Sequence, residues 1–381
     1  MSLLAQPYLL HRLNGTTLFP HEIDQEVKKL MSAARVTGLS LSVLNNHQVA
    51  YTKTYGYANS ELKTPLHPES VFSGASFSKA VFAYLCLKMV DAGKLNLDQP
   101  LMSYLPKPLY EYPRYPDLAQ DTRWTLITPR MCLNHTTGFP NWRFLHPYTG
   151  DYMPEGKLAI YFTPGAKYAY SGEGIALLQM VLEHITGRNL EDLAQEELFL
   201  ALAMTRTSYV WQPKFETNYA SGHDTEQMVI GKRKRTKPDA AGSLQTTHED
   251  MAKFIAHLSR RQGLSAQAYQ QMFSPQVYIH SLHQFPTLDS ATTRAHEDIQ
   301  LAYGLGWGLL DCPFGPAFFK EGHDEGWQHY LIHFSTPGTG LIIMTNSDNG
   351  EKIFKDLLEF VIGDTFTPWT WQRYWPYNYK K

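Results

Sequence analysis

The chain has 381 residues, 43% of them apolar, and a formal net charge of -2 at neutral pH. That is enough apolar material for a sizeable core and two or three domains, and the near-neutral charge excludes a general pull toward nucleic acid or an anionic membrane. Three cysteines, Cys86, Cys132 and Cys312, are too few and too scattered for a disulfide framework or a metal knuckle, and no apolar run of about 18 residues is present to span a bilayer.

The opening MSLLAQPYLLHRLNG lacks the basic start, apolar run and small-residue cleavage site of an export signal. The expectation is a cytoplasmic protein as the chain stands, or a periplasmic or secreted one if a leader was removed. Residues 21–35 read as an amphipathic helix, with Ile23, Val27, Leu30 and Met31 at helical spacing. Leu39, Leu41 and Val43 then alternate with serines. Asn45-Asn46 supplies a turn, and Val49, Tyr51 and Lys53 continue the alternation as a hairpin. Helices are expected at 75–92, 174–186, 190–202, 248–260 and 265–272. The first two are joined by a Pro/Tyr-rich stretch, YLPKPLYEYPRYPDLAQDTRW, read as a surface loop or as an aromatic rim to a cleft. The basic run GKRKRTK is read as a solvated loop. Strands return at 305–311, 329–336 and 340–346, followed by a helix over 350–362. The implied fold class is α/β (α+β): an antiparallel sheet built from both chain ends (1–74 plus 296–381), with an inserted mainly helical domain (75–295) and the active site between them.

GASFSKAVFAYLCLKMVDAGKL, from Gly74 to Leu95, is apolar nearly all round, yet opens with Ser76 and Lys79. At i and i+3 the two share a helix face. The free N–H groups and positive dipole end of a helix N-terminus favour a developing anion. A lysine held in an apolar wall loses solvation, so its pKa falls and it serves as a base toward the hydroxyl. S-x-x-K alone is cheap, and Ser60 to Lys63 makes a second copy in a polar turn. GASFS also approaches the G-x-S-x-G elbow, but it ends in Ser78, and no strand–elbow–helix context is expected, which argues against an α/β-hydrolase.

Context separates the two copies. S-x-x-K with a later K-T-G is the signature of serine β-lactamases and penicillin-binding proteins, and the only K-x-G in this chain is Lys320-Glu321-Gly322. In order, VFSGASFSKAVFAYLCLKMVDAGKLNLDQPL, ITPRMCLNHTTGFP, PGAKYAYSGEGIALL, DAAGSLQTTHEDMAKFIAHL and FKEGHDEGWQHYLIHF resemble the class C β-lactamase group and its esterase, DD-peptidase and penicillin-binding relatives, over about 35–365. The resemblance implies Ser76 as nucleophile, Lys79 as its partner and Tyr170 as second base or proton relay. A phenol, titrating near ~10, takes that role where cations such as Lys79 and Lys320 stabilise the phenolate. Lys320 and Gly322 would bind substrate, Lys320 attracting a carboxylate. The backbone N–H groups of Ser76 and His323 would form the oxyanion hole.

Two departures stand out. Tyr170-Ser171-Gly172 replaces the Y-x-N of relatives, so the amide that recognises an acylamino side chain is missing. Glu321 replaces a small hydroxyl residue and sets a negative charge beside Lys320. Both point toward an esterase or peptidase-like activity, with a non-hydrolysing penicillin sensor as the alternative. Ser347-Asp348-Asn349 and Tyr57-Ala58-Asn59 repeat family motifs out of order and read as turns. His329 and His333, four apart on a strand, make a weak metal pair. No metal or other cofactor is implied. The expected partner is a small-molecule or peptide substrate, with no nucleic acid and no membrane span.

Overall fold

In the computed structural model, which describes residues 9–379, the alternating segment around Leu41 forms β1 (Gly38–Asn45). The chain reverses at Asn46 and His47, both at positive φ, into β2 (Gln48–Asn59), a turn whose twist suits a hairpin. Seven further strands complete the sheet: β3 (Thr64–Pro65), β4 (Val277–Tyr278), β5 (Ala302–Tyr303), β6 (Gly308–Cys312), β7 (Gly315–Asp324), β8 (Trp327–Phe334) and β9 (Thr339–Thr345). Their order is β4-β5-β6-β7-β8-β9-β1-β2-β3, antiparallel throughout. The two chain ends meet where β9 pairs with β1, Leu341 opposite Val43 and Ile343 opposite Leu41. The sheet also draws β4 and its Val277 from within the stretch between the two ends.

Helices cover both faces. On one side α1 (Pro20–Ala34) and the helical run 350–362 bury Ile23, Val27, Leu357 and Val361 against Leu41 and Ile343. On the other lie α2 (Phe77–Asp91), α3 (Gly172–Thr186), the short α4 (Leu190–Ala194), α5 (His248–Ser259) and α6 (Ala266–Phe273). The serines of β1 suit that second face: Ser42 meets His248 of α5 at 2.7 Å, where a larger side chain would hold the helix off. α2 is buried nearly all round, as an apolar helix without a polar face must be. The helix expected over 190–202 instead loosens after Ala194 into a wide turn over Gln195–Phe199, and Ala203 stands at φ 51. The Pro/Tyr-rich stretch follows a 3-10 turn at Leu101–Tyr104 and forms further short 3-10 turns at Leu109–Glu111 and Pro116–Leu118.

The strand expected from 305 starts three residues later because Gly304 to Trp307 turn, the Gly304 N–H donating to the Trp307 carbonyl at 2.8 Å. This turn presses on α2. Gly306 lies at φ +85, and a Cβ there would sit 2.3 Å from that of Ala83 and 3.5 Å from the Lys79 carbonyl oxygen. Gly306→Ala is therefore expected to cost about 2–4 kcal/mol, from left-handed strain plus overpacking. Urea unfolding checks this as a lowered midpoint at unchanged slope.

Candidate active site

A short strand, Val71–Ser73, paired antiparallel with Gln245–Thr247, leads into the turn before α2. This corrects the expectation that no strand precedes GASFS. The strand belongs to a two-stranded ribbon rather than to the main sheet, so the context remains unlike an α/β-hydrolase elbow. Ala75 takes φ 46, a rare conformation for a residue with a Cβ. It is held there because the Gly74 N–H donates to the Leu244 carbonyl at 2.7 Å and the Leu244 N–H donates to Ser78 Oγ at 3.0 Å. The clamp fixes Ser76 as the N-cap of α2. One turn on, Lys79 Nζ donates to Ser76 Oγ at 3.0 Å and to the Ala241 carbonyl at 2.6 Å. Lys79 is 3% exposed. Burial, aided by the charge of Lys320, holds its pKa below the usual lysine range, although Tyr170 and Asp239 oppose the shift.

Tyr170 precedes the N-cap of α3. Ser171 Oγ accepts the Gly174 N–H at 2.9 Å and donates to the Pro140 carbonyl at 3.0 Å, tying the helix start to the 140 loop. Behind the phenol the buried Lys320 donates to its hydroxyl at 3.0 Å. The ammonium groups of Lys79 and Lys320 each stand 5.0 Å from the centroid of the Tyr170 ring. Lys320 also donates to Glu321 Oε1 at 2.9 Å and to the Glu321 carbonyl at 3.0 Å, and Gln284 donates to the same Oε1 at 2.8 Å. Burial pushes the Lys320 pKa down, but Glu321 and Tyr170 outweigh it and the net shift is upward. The two lysines are thus driven apart: Lys79 toward the neutral amine, Lys320 toward the ammonium. Environments that separate two titratable groups in this way assign them different roles.

β7 runs past the start of α2 at Gly322, where a Cβ would lie 3.1 Å from the Gly74 carbonyl oxygen. The next residue, His323, lines the same cleft as Ser76. Two lobes meet at Ser76. The larger, about 480 Å³, is mostly apolar, walled by Trp142, Leu145, Phe285 and Tyr374, with Glu321 and Gln284 on its lining. The smaller, about 150 Å³, is polar, with Arg114, Glu173, Arg235 and Asp239. Glu173 is nine-tenths buried and held by Arg114 at 3.0 Å and Arg143 at 2.7 Å. The contribution of the Pro/Tyr-rich stretch to these lobes is therefore Arg114 rather than a tyrosine. The basic run is engaged with acids: Lys232 and Lys234 with Glu216, Arg233 with Asp324 and Glu325.

Several cleft residues were not singled out from the sequence. His135 packs against Tyr170 with ring centroids 4.3 Å apart and the rings tilted by 46°, and its Nδ1 accepts the Ser171 N–H at 3.2 Å. Burial and the two lysine charges hold its pKa well below the usual histidine range, so it is a neutral support for the tyrosine. It lies inside NHTTG, one of the quoted segments, and that was the available signal. Asn141 lines both lobes, and Gln284 and Phe285 arrive from the loop ahead of β5. Their sequence surroundings carry no mark of chemistry. His329 is occupied by structure, one ring nitrogen on the Ser73 carbonyl at 2.7 Å and the other accepting the Thr345 N–H at 3.3 Å; burial takes its pKa down to about 4. No group of metal-ligating side chains gathers among the described residues, and no described helix is long and apolar enough to cross a membrane.

Known proteins resemble this chain in sequence and in fold. A family model described as Beta-lactamase matches residues 23–362. A penicillin-binding protein of Bacillus subtilis (strain 168) is 23% identical over a stretch covering 82% of this chain and 68% of its own. A beta-lactamase of Pseudomonas fluorescens is 23% identical, covering 83% of this chain and 82% of its own. Among solved structures, the octameric penicillin-binding protein homologue from Pyrococcus abyssi superposes with a TM-score of 0.72 at 20% identity, over 90% of this chain and 77% of its own, a likeness of fold. With a family model matched over most of its length, this chain belongs to the beta-lactamase family.

Proposed function

We propose that the chain is a serine hydrolase that works through a covalent acyl-enzyme, with Ser76 as nucleophile, Lys79 as its base and Tyr170 as proton relay. The observation that carries this is the hydrogen bond from a desolvated Lys79 to Ser76 Oγ at 3.0 Å, beside a phenol held by Lys320. Neutral Lys79 takes the Ser76 proton as Oγ bonds to the carbonyl carbon. The carbonyl oxygen becomes an anion facing the N–H groups of Ser76 and His323. Its collapse breaks the bond to the leaving group, which leaves with a proton from the Lys79–Tyr170 pair. Water, deprotonated by the same pair, then releases the acid and restores Ser76.

The substrate class follows from Glu321. A lysine already neutralised at 2.9 Å has little attraction left for a carboxylate, and a substrate carboxylate near it would also meet the Glu321 charge. The reading is an ester or peptide-like substrate without a carboxylate beside the scissile carbonyl. Glu321→Thr is expected to raise kcat/KM for a penicillin, relative to a neutral p-nitrophenyl ester, by about tenfold. Steady-state kinetics on both substrates checks it.

The experiment is incubation with a fluorophosphonate, a penicillin and a p-nitrophenyl ester, read by turnover and intact mass beside Ser76→Ala. Ester turnover with weak penicillin turnover is expected. Stable adducts without turnover would instead mark a sensor, and no Ser76-dependent adduct with any reagent would overturn the proposal.

A further inference from the structure

The smaller lobe at Ser76 adjoins another cavity of about 600 Å³, mostly polar, which shares Arg114, Ala176, Arg235 and Asp239 with it. The cleft thus runs on from the nucleophile along the face of α3 that carries Ala176, Gln179 and Glu183. The charges lining this groove are uneven: Arg114, Lys234, Arg235 and Lys237 stand against Glu183 and Asp239. Most of them are engaged. Arg114 pairs with Glu173 and Lys234 with Glu216, while Glu183 Oε1 accepts the Leu190 N–H at 2.8 Å and Asp239 Oδ1 the Ala241 N–H at 2.9 Å. Arg235 and Lys237 are exposed and, among the described residues, make no ion pair and no side-chain hydrogen bond. They are the part of GKRKRTK that its acidic neighbours leave unpaired. Their backbone is nonetheless fixed. The Trp211 N–H donates to the Arg235 carbonyl at 2.6 Å. Gln179 of α3 donates to the Pro238 carbonyl at 3.0 Å and accepts the Ala240 N–H at 2.8 Å. Lys237 lies between these anchors, so both cations are carried on a braced segment beside the groove.

We infer that this groove binds a carboxylate at the far end of the substrate's acyl part, with Arg235 and Lys237 as its partners. The inference rests on the serine-hydrolase reading above and adds to it a class of acyl group. The acyl side is the one concerned because Tyr170, which shares the proton given to the departing group, lines the larger lobe and not the smaller. The leaving group then occupies the larger lobe, and the part that stays on Ser76 extends toward Arg235. A guanidinium fork and an ammonium both suit a carboxylate, and a cleft lined by an excess of one charge concentrates ligands of the other. The charges also sort the two ends of the cleft. Glu321 opposes a carboxylate beside the scissile carbonyl, whereas Arg235 and Lys237 attract one several bonds away.

The test compares the mono-p-nitrophenyl esters of adipic, suberic and sebacic acid with the same compounds capped at the other end as methyl esters, so that each pair differs by the distal charge. The readout is the ratio of kcat/KM, free acid over capped, taken within each protein so that a uniform loss cancels. At the chain length that reaches the groove, the wild type is expected to favour the free acid at low ionic strength, and the ratio to fall toward one as salt screens the charges. Arg235→Gln combined with Lys237→Gln is expected to lower the low-salt ratio about fivefold and to flatten its salt dependence. Arg235→Glu combined with Lys237→Glu is expected to bring it below one. Both positions are exposed, so these variants are expected to fold as the wild type does. Lys232→Gln removes a cation of the same run that does not line the groove, and is expected to leave the ratio within about twofold. A wild-type ratio at or below one for every chain length overturns the inference, as does a ratio that the double glutamine variant leaves unchanged. Fluorophosphonate labelling keeps the two readings apart: labelling of Ser76 with a ratio at or below one sinks only the groove, whereas absent labelling sinks the nucleophile and the groove's role with it.

Discussion

Ser76→Ala is expected to lower ester kcat/KM by at least about 10⁴-fold with little change in stability, because it deletes the atom that makes the covalent bond. The fold should survive. Ser76 is half-buried, its backbone helical start is held by the Gly74 and Ser78 clamp to Leu244, and Lys79 keeps the Ala241 carbonyl at 2.6 Å. What remains is the residual effect of the oxyanion donors and the cleft on a water attack. Cysteine at the same position separates loss of the nucleophile from loss of shape, because it fills the space and stays reactive. Circular dichroism melts beside the kinetics check both halves.

The second large effect is at Lys79. Lys79→Ala is expected to cost about 10²–10⁴-fold in kcat, the usual worth of a positioned general base, and Lys79→Arg to rescue little, because a guanidinium stays protonated. The wild-type pH profile should carry the same signature. Burial lowers the Lys79 pKa, so the base-competent neutral amine gains population at lower pH than an ordinary lysine allows. Activity rises as pH climbs through that lowered pKa and falls away on the acid side as the amine is protonated. Lys320, whose pKa is shifted upward, keeps its proton across the same range and holds Tyr170 in place. Stopped-flow ester kinetics across pH would show the ascending limb in the wild type and its disappearance in Lys79→Arg.

How much of this was legible in the sequence depends on the range of the interaction. Ser76 and Lys79 are neighbours on one helix, so their meeting follows from helical spacing alone. Tyr170 and Lys320 meet across 150 positions. Neither periodicity nor charge indicates that contact, and only the order of quoted segments shared with a known family suggested it. The fold read well where one face repeats, as in β1 and α1. It read poorly where packing overrides local preference, as in the turn at Gly306 forced against α2, or the helix that widens after Ala194. Glu321 beside Lys320 was visible as adjacent letters, but that Gln284 closes the pair from a distant loop was not.

The central claim, that a desolvated lysine arms Ser76 to take an acyl group, is tested most directly by trapping the intermediate. The enzyme is mixed with excess p-nitrophenyl ester, quenched in acid within the first turnover, digested and sequenced by tandem mass spectrometry. The account predicts an acyl mass on Ser76, formed with a burst of about one p-nitrophenolate per active site or accumulating as deacylation is slowed, and absent from Ser76→Ala. An acyl group found on another residue, or undiminished turnover by Ser76→Ala, would contradict it.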